Sequence, residues 1–193
     1  MEYTLLSHPP PTPACRLAMP GDVRGSLAIH PTHGAALVTC FHGVAFMAHS
    51  CPCGTNHQAY VRVNGVDLVV NVIAVDQPRD VAWLSCPQAL AGQTNVARRI
   101  ETNPPTQGEL VTVCSSSGDF LHLIAALPTR DNNANSAIEL QLQPTQLTAQ
   151  QTEDTVRALS FGPGQSGSPV INRNNVVVGV VRNNQGRCGL IHL

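Results

Sequence analysis

Lysine is absent from this chain of 193 residues, and all eleven of its basic residues are arginine. The absence excludes Schiff-base chemistry, a Ser-Lys dyad and a P-loop, each of which needs a lysine amine. Coding bias is its simplest source. Aromatic residues are also scarce, at 4% with Trp83 as the single tryptophan. Val, Leu, Ala and Ile must therefore fill the core. Charged residues make up 12%, and eleven basic against twelve acidic side chains leave a net charge of −1. That is too weak a field to hold nucleic acid through charge alone. No apolar run approaches the roughly 20 residues a membrane helix requires. The first residues carry Glu2 and a proline cluster instead of the apolar centre of a secretory signal.

What the chain does contain is 42% hydrophobic residues, 15 Gly, 15 Pro and 7 Cys. The apolar share excludes disorder, and the Gly and Pro content exceeds what a helical bundle tolerates. An odd number of cysteines without a secretory signal favours reduced thiols in a cytosolic setting. Residues 1–20, rich in proline, are expected as an extended arm. Short apolar runs broken by turn residues then follow. Leu27–Ile29 and Ala35–Thr39 flank Pro31-Thr32-His33-Gly34. Tyr60–Val63 and Val66–Val75 flank Asn64-Gly65, a strong two-residue hairpin signal. Val81–Leu84 is a further strand. A linker is expected over 98–108, around Asn103-Pro104-Pro105. Strand signals resume at Leu110–Cys114, Leu121–Leu127, Ile138–Leu142, Pro169–Ile171, Val176–Val181 and Leu190–Leu193. The pattern predicts an all-β chain of two small barrels, over 21–97 and 109–193.

The most informative stretch is Gly162-Pro163-Gly164-Gln165-Ser166-Gly167-Ser168-Pro169. A serine between glycines suits a tight loop whose N–H groups converge into an oxyanion hole; the plainer reading is a surface turn. A nucleophilic serine needs a base and an orienting acid. No acidic residue follows Ser166, which excludes the Ser-acid-His order of α/β-hydrolases. The order His, Asp, Ser stays open. His42, at the end of the apolar run Ala35–Cys40, is the preferred base, with His49 as its rival. Asp80, opening the apolar run Val81–Leu84, is the preferred acid; Asp76 and Asp67 read more simply as turn residues. Cys40 beside His42 imitates a Cys–His pair, although a cysteine at a strand end is more often core.

These segments resemble the chymotrypsin-like (PA clan) serine proteases. Three motifs carry the likeness: Thr39-Cys40-Phe41-His42-Gly43, Asp76 through Asp80-Val81-Ala82-Trp83-Leu84, and Gly164-Gln165-Ser166-Gly167-Ser168-Pro169. In style they are similar to the compact main proteases of positive-strand RNA viruses of the arterivirus type. The resemblance implies two six-stranded antiparallel β-barrels with the site in the cleft between them. It implies Ser166 as nucleophile, His42 as base and Asp80 as orienter, with the amides of Gly164 and Ser166 forming the oxyanion hole. Ser160 and Phe161 would line one wall of the S1 pocket. Val180, Val181, Arg182 and Asn183 would line another, the latter pairing with substrate as an added strand. Relatives that cut after Glu or Gln carry His where this chain has Val181, so an apolar P1 residue is equally compatible.

The implied partner is a polypeptide substrate, a viral polyprotein that includes the enzyme's own precursor. The implied setting is the host cytoplasm, at replication membranes through the polyprotein context. A polyprotein without Lys would also offer no Lys-based self-cleavage sites. No cofactor is required. Cys51, Cys53 and His57, with Cys40 and Cys86 near in sequence, form a weaker candidate for structural zinc. The alternatives are an HtrA-like cellular protease domain and an inactive protease-fold binding module in a replication complex.

Overall fold

Local turn chemistry sets the strand registers of the N-terminal half. In this computed structural model Asn64 and Gly65 both take left-handed backbone angles, with φ of 50° and 77°. They join β4 (Gln58–Val63) to β5 (Val66–Asp76) so that Val63 faces Val66 and Gln58 faces Asn71. A turn at 31–33, closed by Gly34, joins β2 (Val23–His30) to β3 (Gly34–Cys40). The structure describes residues 2–5, 23–44, 58–103, 105–126, 137–142, 159–162, 164–183 and 187–190.

Strands β1 (Glu2–Leu5) through β6 (Val81–Ser85) close into a barrel in the order β1-β2-β3-β6-β5-β4. The second barrel contains β7 (Leu110–Ser115), β8 (Gly118–Ala126), β9 (Ala137–Leu142), β10 (Pro169–Asn172), β11 (Val177–Asn183) and β12 (Arg187–Leu190). Its order, β10-β11-β12-β9-β8-β7, is the same ring read in reverse. The two halves thus share one topology without a visible sequence repeat. The two-barrel all-β architecture expected from the sequence is the one observed.

Two local expectations change. The extended arm foreseen over 1–20 begins with a barrel strand, because Glu2–Leu5 pairs with both β2 and β4 and Leu5 enters the core. The last strand, expected over Leu190–Leu193, begins earlier, at Arg187, because Arg187, Cys188 and Gly189 pair with Glu139, Ile138 and Ala137 on one side while Arg187 and Cys188 face Asn183 and Val181 on the other; residues 191–193 lie outside the described residues. A 3-10 helix over Gln88–Val96, which lacks a clear sequence signal, precedes the linker.

Three apolar clusters organise the packing. Leu5, Leu27, Leu37, Val61, Val70 and Leu84 fill the first barrel. Val111, Val113, Ile124, Phe161, Val170 and Val178 belong to the second. The third cluster joins the barrels: Ala28, Ala36, Val38, Val81 and Trp83 meet Ile100, Val177 and Val180. Strands that bury both faces read as nearly continuous apolar runs, which is why β3 and β6 lack polar alternation. The linker is stitched to both sides. Arg98 exchanges hydrogen bonds with Leu27 and Ile29, and Val177 with Arg99 and Glu101. The barrels are therefore held in one relative placement by backbone as well as by packing.

His30 closes the β2–β3 turn. It is buried, edge-on to Trp83 with ring centroids 4.8 Å apart. Its Nδ1 accepts N–H bonds from Thr32 (3.2 Å) and His33 (3.3 Å), which requires that nitrogen to be unprotonated. Burial first, then the neighbouring His33, lowers its pKa below the usual 6.5. The unfolded chain thus binds this proton more readily, so stability is fully present above that value and falls as pH drops below it. Thermal melts should give a lower Tm at about pH 5 than at about pH 7.5, and His30→Asn should shrink that difference. An equal acid loss in the variant contradicts this assignment.

Candidate active site

The site is assembled from the ends of two adjacent strands. Cys40 is the last residue of β3 and pairs with Val81, the first of β6. Past that pair the chain turns on both sides. Residues 41–44 form a single helical turn that carries His42, and residues 77–80 form the turn that ends on Asp80. This second turn is built locally. Asp80 N donates to Gln77 O at 3.0 Å, and Arg79 N donates to Asp76 Oδ1 at 3.1 Å. Asp80 itself has a φ of 58°, a left-handed angle that aspartate tolerates better than most residues.

That backbone angle accompanies a tight link to His42. Asp80 O accepts the N–H of Phe41 at 3.0 Å, Oδ1 accepts the N–H of His42 at 2.8 Å, and Oδ2 meets His42 Nδ1 at 2.7 Å. A carboxylate can only accept, so Nδ1 carries the proton and Nε2 is the basic nitrogen. The Asp80 side chain is 8% exposed and that of His42 is 48% exposed. The acid is thus shielded while the imidazole is open to a ligand. Nε2 lies 3.6 Å from Cys40 Sγ, so the strand-end thiol is at once a core group and a neighbour of the imidazole. The Asp80 hydrogen bond first, then the Cys40 contact, pushes the His42 pKa up to about 10, against the opposing effect of burial.

The Ser166 loop meets β2 and β3 from the side of the second barrel. Its carbonyl accepts the N–H of Arg24 on β2 at 2.7 Å. Gly167 follows with a φ of 83°, packed so closely that an added Cβ would overlap the Arg24 carbonyl oxygen and lie 2.7 Å from Thr39 Oγ1. Only glycine lets the loop approach β2 and β3 in this way. Gly167 N donates to Val181 O at 2.7 Å and Val181 N donates to Ser168 O at 2.9 Å, which fixes the loop to β11. Gly164 also has a left-handed φ of 83°. Among the described residues, neither the Gly164 nor the Ser166 amide donates a hydrogen bond, and Ser166 makes none to His42.

The structure therefore joins His42 directly to Asp80 and sets the Ser166 loop against the strands that lead to His42. Ser160 and Phe161 are buried, Phe161 edge-on to His122 at 5.1 Å. Val180 and Val181, expected on a pocket wall, instead send their side chains into the apolar clusters. The Val181 backbone is already committed to the Ser166 loop, and Asn183 pairs with Arg187 of β12. Asp76 and Asp67 serve as turn and hairpin residues, Asp67 pairing with Arg62 at 2.7 Å. His49, Cys51, Cys53 and His57 lie outside the described residues, and no group of three metal-ligating side chains occurs among the described ones. Cys40 and Cys86 are free thiols. Arg24, Thr39 and Ser116 carry no signal of their own in the sequence, because their contacts with the loop cross long sequence separations.

Residues 26–180 match the family model of the trypsin-like peptidase domain. The chain belongs to this family. No curated protein matches it by sequence. Among solved structures, a human pathogenic astrovirus serine protease aligns with TM-score 0.56 and 18% identity, over 98% of this chain and 88% of the other. The NSP4 proteinase of equine arteritis virus aligns with TM-score 0.53 and 15% identity, over 99% and 71%. Deg5 aligns with TM-score 0.55 and 14% identity, over 88% and 78%. At these identities the likeness establishes the fold.

The raised pKa of His42 has a testable sign. Stability from the His42–Asp80 pair is present below about pH 6.5 and lost as pH rises through about 10. NMR titration of the imidazole should give a midpoint above 6.5 in the trypsin-like domain. Cys40→Ala should lower it, and Asp80→Asn should lower it further. An unchanged midpoint in Asp80→Asn contradicts the pairing.

Proposed function

We propose that this trypsin-like peptidase is a serine endopeptidase that processes a viral polyprotein through an acyl-enzyme. One observation carries the reading: His42 Nδ1 is held by Asp80 at 2.7 Å while the glycine loop of Ser166 is bonded to the strand beside it. Ser166 Oγ attacks the scissile carbonyl, and His42 Nε2 takes its proton; the reacting form is the neutral imidazole, whose share grows as pH rises toward the His42 pKa. Asp80 keeps the ring in the correct tautomer and stabilises the imidazolium. The Gly164 and Ser166 amides, which have no other acceptor among the described residues, take the developing oxyanion. His42 then returns the proton to the leaving amine, and water repeats the cycle on the ester. Nε2 rests against Cys40 Sγ in the free protein and engages Ser166 when substrate fills the cleft, as catalytic contacts often tighten only in the complex.

Side chains and backbone supply all of this chemistry, so no cofactor is called for. We place Ser160 and Phe161 on one side of the S1 pocket, and Arg182 and Asn183 on the other. The substrate is a polypeptide, with the enzyme's own precursor and the host cytoplasm as its setting. The likeness to astrovirus and arterivirus proteases supports the viral reading. The likeness to Deg5 supports the second reading, an HtrA-like cellular protease domain. Among the described residues no helix is long and apolar enough to cross a membrane.

A fluorophosphonate probe should label the wild-type protein, and Ser166→Ala should abolish labelling. His42→Ala and Asp80→Asn should each lower turnover by about 10⁴-fold. Folded wild type that takes no label contradicts the enzyme reading.

A further inference from the structure

The side chain immediately before the nucleophile is turned inward and bonded at both ends. Gln165 is 7% exposed. Its Oε1 accepts the backbone N–H of Ser116 at 3.0 Å, and its Nε2 donates to Ser116 Oγ at 2.6 Å. The Ser168 hydroxyl also lies 3.5 Å from Oε1. Ser116 stands in the β7–β8 turn, which is stiffened on its own account. Ser115 Oγ donates to Gly118 O at 2.9 Å and accepts the Ser117 N–H at 3.1 Å. A buried carboxamide with both ends satisfied is costly to move, because any shift strands a donor or an acceptor.

The backbone on either side is pinned as well. Gln165 N donates to Gly162 O at 3.1 Å, and Ser168 N donates to Gln165 O at 3.0 Å. The peptide units of Gly164 and Ser166 lie between these bonds, and their amides alone in this segment have no acceptor among the described residues. Left-handed angles at Gly164 and Gly167 give the loop freedom to turn these amides elsewhere. The Gln165 carboxamide is the contact that removes that freedom in the middle of the loop.

We infer that Gln165, held by Ser116, is a positioning residue that fixes the oxyanion-binding amides of Gly164 and Ser166. The inference rests on the serine endopeptidase reading. The tether acts on the tetrahedral state and not on peptide docking, because it orients donors that meet charge only as the oxyanion forms. Loss of one oxyanion donor costs about 10²–10³-fold in kcat in enzymes of this kind, which bounds the effect.

The test compares Gln165→Ala, Gln165→Glu and Ser116→Ala, with a peptide substrate, a peptide boronate that forms a tetrahedral adduct, and the cleaved product peptide. Gln165→Ala should lower kcat about 10- to 100-fold and weaken the boronate in parallel, leaving KM and product binding within about threefold. Gln165→Glu, which still accepts from the Ser116 N–H and hydroxyl, should recover most of the rate. Ser116→Ala, on an exposed turn, should show the same pattern at several-fold size and decides the matter if Gln165→Ala does not fold. Unchanged kcat in Ser116→Ala and Gln165→Ala overturns the inference, as does equal weakening of product and boronate. Fluorophosphonate labelling of wild type keeps the outcomes distinct: a labelled wild type with indifferent variants refutes the tether alone, and an unlabelled one refutes the enzyme.

Discussion

The bond between Asp80 and His42 is the constraint around which the site is organised. It crosses from the start of β6 to the end of β3: both carboxylate oxygens of Asp80 meet His42, and its carbonyl accepts the neighbouring Phe41 N–H. Holding a non-glycine residue in the left-handed region costs on the order of 1–2 kcal/mol, less for aspartate. Hydrogen bonds to a charged group contribute roughly 1.5–3 kcal/mol each, so the two carboxylate contacts outweigh that strain. The strained turn is thus sustained by the interaction it makes possible. Because the carboxylate accepts a hydrogen bond from Nδ1–H, it also decides which imidazole nitrogen faces the cleft.

A second requirement is that two barrels hold still against each other. His42 and Asp80 belong to the first barrel and Ser166 to the second, so their distance is an inter-barrel distance. Ala28, Val38 and Trp83 packed against Val177 and Val180 supply the bulk of that contact. The Arg24–Ser166 backbone bond and the close approach of Gly167 to Thr39 set its fine position. Rigid strands on both sides present His42, Asp80 and the Ser166 loop, and that loop is bonded to β2, β11 and the β7–β8 turn together.

Much of this was legible in the residues, and the limits were physical. Asn64-Gly65 announced its hairpin because turn chemistry is local. His42, Asp80 and Ser166 could be chosen because each stands beside a recognisable strand or glycine loop and their order excludes other folds. Strand β1 was hidden among prolines, since only pairing with β2 and the distant β4 makes those four residues a strand. The buried role of Val180 and Val181 was equally hidden, because an apolar run does not reveal which cluster each side chain enters. The Gln165–Ser116 contact joins residues 49 apart, and nothing in either neighbourhood points to the other.

The account holds that a prearranged Asp80–His42 pair and a tethered glycine loop converge on one tetrahedral centre. The most direct measurement is a crystal structure of the fluorophosphonate adduct. The account predicts phosphorus bonded to Ser166 Oγ and its free oxygen within hydrogen-bond distance of the Gly164 and Ser166 amides. It also predicts His42 Nε2 turned from Cys40 toward the adduct, with Nδ1 still bonded to Asp80. An adduct on another residue, or an oxygen that neither amide reaches, would contradict it.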